Sequence, residues 1–216
     1  MKDILVLVMC VFGFLPVVKA QTGLGARGGA TFSEVWLTPG VPQGLAQGMD
    51  IGIVGRFMNN HNLGLQVEAN VSRQGWLFFP ETGARHEREF TSVQVPVLTY
   101  LQLGRGTLRF AVQAGVFGGY VLEGRDLLTP AVPLSAGPVA YREQNQLPWQ
   151  YGVMGAAGPA LSFPFGIIHF EARFVQHLSD ILEADFNEDN YFRSSRLRTI
   201  TFGMQWVYMF GGRREK

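Results

Sequence analysis

The stretch Asn62–Trp76, NLGLQVEANVSRQGW, decides the fold. Leu63, Leu65, Val67, Ala69 and Val71 alternate with Gly64, Gln66, Glu68, Asn70, Ser72 and Gln74. Successive side chains of a strand point to opposite faces, so one face is apolar and the other is polar apart from Gly64. A water-soluble sandwich contains such strands too, with the polar face in water. The reading changes if the pattern recurs at the spacing of a closed barrel. The greasy face then meets lipid and the polar face lines a narrow interior.

It does recur. Met49–Met58 sets Ile51, Ile53, Gly55 and Phe57 against Asp50, Gly52, Val54 and Arg56. Phe90–Leu103 sets Val93, Val95, Val97, Thr99, Leu101 and Leu103 against Gln94, Pro96, Leu98, Tyr100 and Gln102, with Pro96 predicting a local distortion because it lacks a ladder donor. Thr107–Leu122, Pro148–Phe163, Ile167–Leu178 and Arg196–Phe210 continue the pattern, and Gly23–Thr31 is a Gly/Ala-rich first strand with weak alternation.

The connections alternate in length. Ser33–Gln47, Phe78–Glu89, Glu123–Leu147 and Ser179–Ser195 read as long loops, whereas Asn59–Asn62, Gly104–Gly106 and Pro164–Gly166 read as tight turns. Asn in the first of these tolerates the left-handed backbone that tight turns often use. A sandwich has no reason to sort loop length by parity. A transmembrane barrel does, with short periplasmic turns and long extracellular loops. Lipid offers no hydrogen bonds to a free sheet edge, so such a sheet must close on itself. The expectation is an all-β, eight-stranded antiparallel up-and-down transmembrane β-barrel. Trp149, Tyr151, Trp206, Tyr208 and Phe210 are candidates for its aromatic girdles.

The first twenty residues, MKDILVLVMCVFGFLPVVKA, read as a secretory leader. Lys2 is the positive start, Ile4–Leu15 the short apolar core, and Val18 and Ala20 the small residues before a cut between Ala20 and Gln21. Residues 21–216 would then be the barrel domain of an exported protein destined for the cell outer membrane. Cys10, the only cysteine, falls within the leader, so the mature chain would hold neither disulfide nor reactive thiol. Removing the leader takes 18 basic residues to 16 and 17 acidic ones to 16, a formal charge of zero. That balance gives no reason to expect nucleic acid as a partner. Glycine, at 27 of 216 residues, is nearly double its usual share of about 7%.

Thr91–Gln102, TSVQVPVLTYLQ, resembles the signature strand of the PorT-like outer-membrane β-barrel family of Bacteroidetes, an aliphatic–amide–aliphatic–proline run carried by Val93-Gln94-Val95-Pro96. Arg109–Tyr120, RFAVQAGVFGGY, is similar to the family's next strand. Phe170-Glu171-Ala172-Arg173-Phe174 resembles its penultimate one, and Asn62–Gly75 its third. The likeness spans nearly the whole mature chain and implies a small outer-membrane barrel. The family's founding member is associated with type IX protein secretion.

The inward positions carry the candidate site: a polar lumen network of Arg56, Glu68, Gln94, Arg109, Gln113, Glu171, Arg173 and Gln205, with Asp50, Gln66 and Asn70 on the same faces. Three acids meet three bases. An eight-stranded barrel is only wide enough for side chains to fill, and charges buried there must pair. The expected result is a structural plug, with a conducting or ligand-binding lumen as the alternative. Glu68 is expected to meet Arg56, Arg109 or Arg173.

No catalytic, cofactor or metal site is expected. Asp185–Asp189, DFNED, starts like a calcium loop, but Asn190 stands where Gly is needed and Arg196 where Glu is needed. His61, His86, His169 and His177 are scattered, and no GxSxG motif occurs. The functional expectation is a non-enzymatic barrel in contact with outer-membrane lipid, with a protein partner at its extracellular loops or periplasmic face, and Ser33–Gln47 and Ala131–Pro148 as the favoured loops. A small channel or hydrophobic-ligand transporter, and a soluble lipocalin-like barrel, are the alternatives.

Overall fold

The computed structural model describes residues 21–38, 43–60, 62–78, 85–129, 147–181 and 194–210. The leader up to Ala20, His61, the calcium-loop-like Asp185–Asp189 and nearly all of the Ala131–Pro148 loop lie outside them. Eight long strands follow one another: β1 (Gln21–Thr38), β2 (Ala46–Met58), β3 (Leu63–Phe78), β4 (Arg85–Leu103), β5 (Leu108–Thr129), β6 (Trp149–Phe163), β7 (Gly166–His177) and β8 (Ser194–Phe210). Each pairs antiparallel with its neighbours in sequence. β1 and β8 close the barrel, in register from Thr22↔Phe210 to Thr38↔Ser194. The short piece Gln43–Gly44 also pairs with β3. Gly44 faces Leu77 whereas Met49 faces Arg73, a one-residue slip that makes this piece a bulged extension of β2.

The expected all-β up-and-down barrel is the observed fold. The long loops are shorter than the sequence suggests. β1 runs on to Thr38, β3 to Phe78 and β5 to Thr129, while β4 begins at Arg85 and β8 at Ser194. These extensions mix polar and apolar residues without alternation, as in Ser33–Thr38 and Glu123–Thr129, so period-two hydropathy is silent over them. Backbone pairing needs no such contrast. A bulge at Leu122, between the pairs Ser92↔Val121 and Thr91↔Glu123, marks where β5 leaves the regular wall.

The turns have local causes. Gly104 and Gly106 hold φ of 102° and 82° between β4 and β5, a region closed to most side chains. In the β2–β3 turn, the Asn60 Oδ1 accepts the backbone N–H groups of Asn62 at 2.9 Å and Leu63 at 2.7 Å. Among the described residues no non-glycine has positive φ, so this Asn acts as an acceptor and not through left-handed backbone. Pro96 has the predicted effect on its β3 side: that ladder skips from Val67↔Val97 to Asn70↔Gln94, while pairing with β5 is continuous.

The two faces of the wall are inverted relative to a water-soluble barrel. Leu24, Ile53, Leu65, Val97, Phe110, Val153, Phe170 and Phe202 point outward and are each at least 40% exposed. Arg56, Gln66, His169 and Gln205 point inward with no exposed surface. On β8 the outward residues from Ile200 to Phe210 are all apolar or aromatic. Ten residues at about 3.3 Å each, tilted by about 40°, span about 25 Å, the height of a barrel's lipid-facing band. Trp149, Tyr151, Trp206, Tyr208 and Phe210 all face outward and are exposed. Trp149 packs edge-on against Tyr120 near the extracellular rim, and Tyr208 against Phe210 near the other. A lipocalin-like soluble barrel needs the opposite arrangement and is excluded.

Candidate functional site

Glu68 sits at the middle of β3, one of the inward positions of its alternating face. Arg173 of β7 reaches across the lumen to it with both terminal nitrogens, Nη1 to Oε2 at 2.7 Å and Nη2 to Oε1 at 2.8 Å. This fork-to-fork geometry is the strong, directional form of the Arg–carboxylate pair. Gln66 donates to Oε1 at 2.6 Å and Asn70 to Oε2 at 2.8 Å. Both carboxylate oxygens are therefore ringed by donors and offer no open position to a ligand.

A second guanidinium completes the centre. Arg27 of β1 meets Asp50 at 2.7 Å and Glu171 at 2.9 Å, and its Nε lies 3.6 Å from Glu68. Glu171 in turn is 3.2 Å from Arg173 and accepts from Gln205 at 2.5 Å. The third guanidinium, Arg56, has no carboxylate partner among the described residues. It donates to the amide oxygens of Gln66 at 2.8 Å and Gln205 at 3.0 Å, and lies 3.8 Å from the centroid of the Tyr100 ring. Gln113 joins the set through a contact with His169 Nδ1 at 3.3 Å. Within this central section three guanidiniums and three carboxylates balance, as burial in a narrow interior requires. Arg88, a fourth buried guanidinium, lies nearer the extracellular mouth, across the ladder from Trp76.

Apolar layers lie on either side of this girdle. Towards the periplasmic turns are Met58, Tyr100, Ala111 and Ala160, with Ile167 and Met209 against them. Leu98, Phe117, Met154 and Val175 form another layer, and Val35, Trp76, Phe90, Ile181 and Leu197 fill the extracellular mouth. Ile181 belongs to the segment after β7. It is drawn in by its N–H donating to the Ser195 carbonyl at 2.9 Å and by the Leu147 N–H donating to its own carbonyl at 2.9 Å.

Seven of the eight expected lumen residues, Arg56, Glu68, Gln94, Gln113, Glu171, Arg173 and Gln205, are buried inside the barrel. Gln94 stands apart from the charged centre, with Ser92 Oγ as its contact at 3.4 Å. Arg109 is a correction. It lies one residue inside β5 beside the periplasmic turn, is partly exposed, and donates through Nε to the Gly106 carbonyl at 3.0 Å. Strand parity gave its face but not its depth. Arg27 takes its place in the charge balance. The signal for it was weak, because GLGARGGAT offers little hydropathy contrast between faces, yet Arg27 shares parity with Thr31 and Ser33, which are also buried. Among the described residues no group of three or more His, Cys, Asp or Glu side chains stands close enough to hold a metal.

A closed, outward-apolar barrel with an ion-paired polar centre defines an integral β-barrel protein of the outer membrane. The chain belongs to the outer membrane protein beta-barrel domain family, whose model matches residues 20–183. No curated protein matches its sequence. Among solved structures, the outer membrane protein OprG from Pseudomonas aeruginosa superposes with a TM-score of 0.51 at 12% identity, over 88% of this chain and 96% of its own. Neisserial surface protein A gives 0.47 at 11% identity, over 85% and 96%. Ail, the attachment invasion locus protein of Yersinia pestis, gives 0.41 at 12%, over 87% and 99%. At such identities the likeness to OprG is one of fold alone. The protein resides in the outer membrane.

Proposed function

We propose that this barrel is a non-enzymatic, non-conducting scaffold that binds a protein partner at its extracellular end or periplasmic face. One observation carries the reading. Arg56, Gln66, His169 and Gln205 have no exposed surface at all, so no path even one water molecule wide runs beside them. Conduction or passage of a hydrophobic ligand through the lumen would require breaking a network in which each carboxylate is already paired. Partner binding is then left to the ends. Strands β4 and β5 extend to the pair Arg85↔Thr129, and this extension presents the exposed, paired side chains of Glu123 and Arg125.

The likeness of Val93–Leu98 and of Arg109–Tyr120 to PorT-like barrels supports looking for that partner in protein secretion or in envelope maintenance. Purified protein in a planar bilayer should give no single-channel steps. A steady conductance step would refute the plugged scaffold and favour the small channel. Affinity capture from detergent extracts of cross-linked cells tests the other half. A reproducible envelope protein lost on replacing the β4–β5 extension supports the scaffold, and capture unchanged by that replacement moves the contact to the periplasmic face.

A further inference from the structure

We propose that the outer wall at the extracellular end of β8 is a binding site for the phosphate of an outer-leaflet lipid, formed by Arg196, Arg198 and Trp36. It is independent of the lumen. The mature chain's balanced charge hides this local concentration of cations.

The depth is set by the strand. Ile200 is the uppermost apolar residue of β8's outward row, and Arg198 and Arg196 are its next two members. At about 3.3 Å per residue and a tilt of about 40°, they stand about 5 Å and about 10 Å above Ile200. The headgroup layer extends about 5–8 Å beyond the hydrocarbon on each side. The Arg198 backbone therefore stands within it and that of Arg196 just above it, from where its long side chain reaches back down. At the periplasmic end of the same row are Trp206, Tyr208 and Phe210, with no charge. A cation on a lipid-facing row is costly within the hydrocarbon and gains from an anion at its boundary.

The geometry is built for a ligand on the lipid side. Arg198 donates through Nε to Gln176 Oε1 at 2.9 Å, and its guanidinium lies 4.2 Å from the centroid of the Trp36 ring. Trp36 itself is 54% exposed. One hydrogen bond and one ring thus fix the guanidinium plane, leaving its Nη groups without an acceptor among the described residues. Arg196 pairs across the ladder with Trp36 and is exposed. Glu34 is the cross-strand neighbour of Arg198, but Arg198 turns to Gln176 and Trp36 and makes no ion pair with it. Two guanidiniums on one strand face, one of them pre-oriented and with its fork free, suit the tetrahedral oxygens of a phosphate. The adjoining apolar row from Ile200 downward would accept the acyl chains of the same molecule.

The test uses the full chain folded in detergent and titrated with diphosphorylated lipid A, with bound lipid counted by native mass spectrometry. The wild type should bind, and dephosphorylated lipid A should bind far more weakly. Arg196→Gln with Arg198→Gln should weaken binding roughly thirtyfold, at about fivefold per arginine, while heat-modifiable gel mobility confirms a folded barrel. If that double variant does not fold, Arg196→Glu, at an exposed position, replaces it and should weaken binding at least fivefold. Arg73→Gln, outward on β3, should leave affinity within twofold. Equal affinity for the arginine variants, equal binding of the dephosphorylated lipid, or an equal loss in Arg73→Gln would overturn the site. Competition by millimolar inorganic phosphate alone would show that the lipid contributes nothing, and would overturn it as well.

Discussion

Replacing Glu68 by Gln changes one atom's identity and tests the lumen network directly. Oε1 faces the donors of Gln66 and Arg173, and Oε2 faces those of Asn70 and Arg173. Whichever oxygen becomes an amide nitrogen, it therefore points a donor at two donors. Two hydrogen bonds are lost, and the balance of three against three becomes three against two inside a buried section. Removing one member of a buried pair costs about 3–5 kcal/mol, a large share of the about 5–15 kcal/mol that holds a typical protein folded. Urea unfolding of the protein in phospholipid vesicles, followed by tryptophan fluorescence, measures it. Glu68→Leu combined with Arg173→Met removes both partners, leaves Arg27 with Asp50 and Glu171, and restores neutrality. That double variant should recover most of the loss, because replacing a whole buried pair with apolar groups is often neutral. A loss below about 1 kcal/mol for Glu68→Gln, or a double variant no better than the single one, would refute the idea that charge balance holds this interior.

Other substitutions probe other parts of the wall. Arg109→Ala should stay within about 0.5 kcal/mol of wild type in the same assay, since its side chain is partly exposed and bonds a turn carbonyl. Gly52→Ala should be among the most damaging small changes, because a Cβ there would lie 2.0 Å from Asn70 Oδ1 and 2.6 Å from the Ala69 carbonyl. Gly118→Ala, where a Cβ meets nothing within 4 Å, should be neutral or slightly stabilising. The two glycines compared by gel mobility separate steric need from composition. Met204→Arg, near the centre of the lipid-facing row of β8, should cost about 2–4 kcal/mol in vesicles and much less if that face met water.

Most of the wall could be read from the residues in order. Leu63 to Val71 on β3 and Ile200 to Phe210 on β8 reveal their outward face because period two and hydropathy contrast coincide there. The same logic missed Arg27, where glycine and alanine occupy both faces, and overran at Arg109, where parity is right but the strand is already leaving the barrel. It also shortened β5, whose extension to Thr129 lacks a period-two contrast but stays in ladder register with β4. Pairing within the lumen was beyond reach for a different reason. Glu68 and Arg173 are 105 residues apart, and which arginine stands opposite depends on strand order, stagger and tilt summed round the barrel.

What the sequence determined by itself was the location: an alternating wall with sorted loops has a low-energy place only where lipid meets one face and a filled interior the other. Tertiary structure decided the partners. Closing β1 on β8 brings Arg27 to Asp50 and Glu171, and brings Arg173 to Glu68. It also aligns Arg198 with Gln176 and Trp36 on three different strands. Alternation fixes which way a side chain points, a local property of the backbone. Only the closed register fixes what it meets.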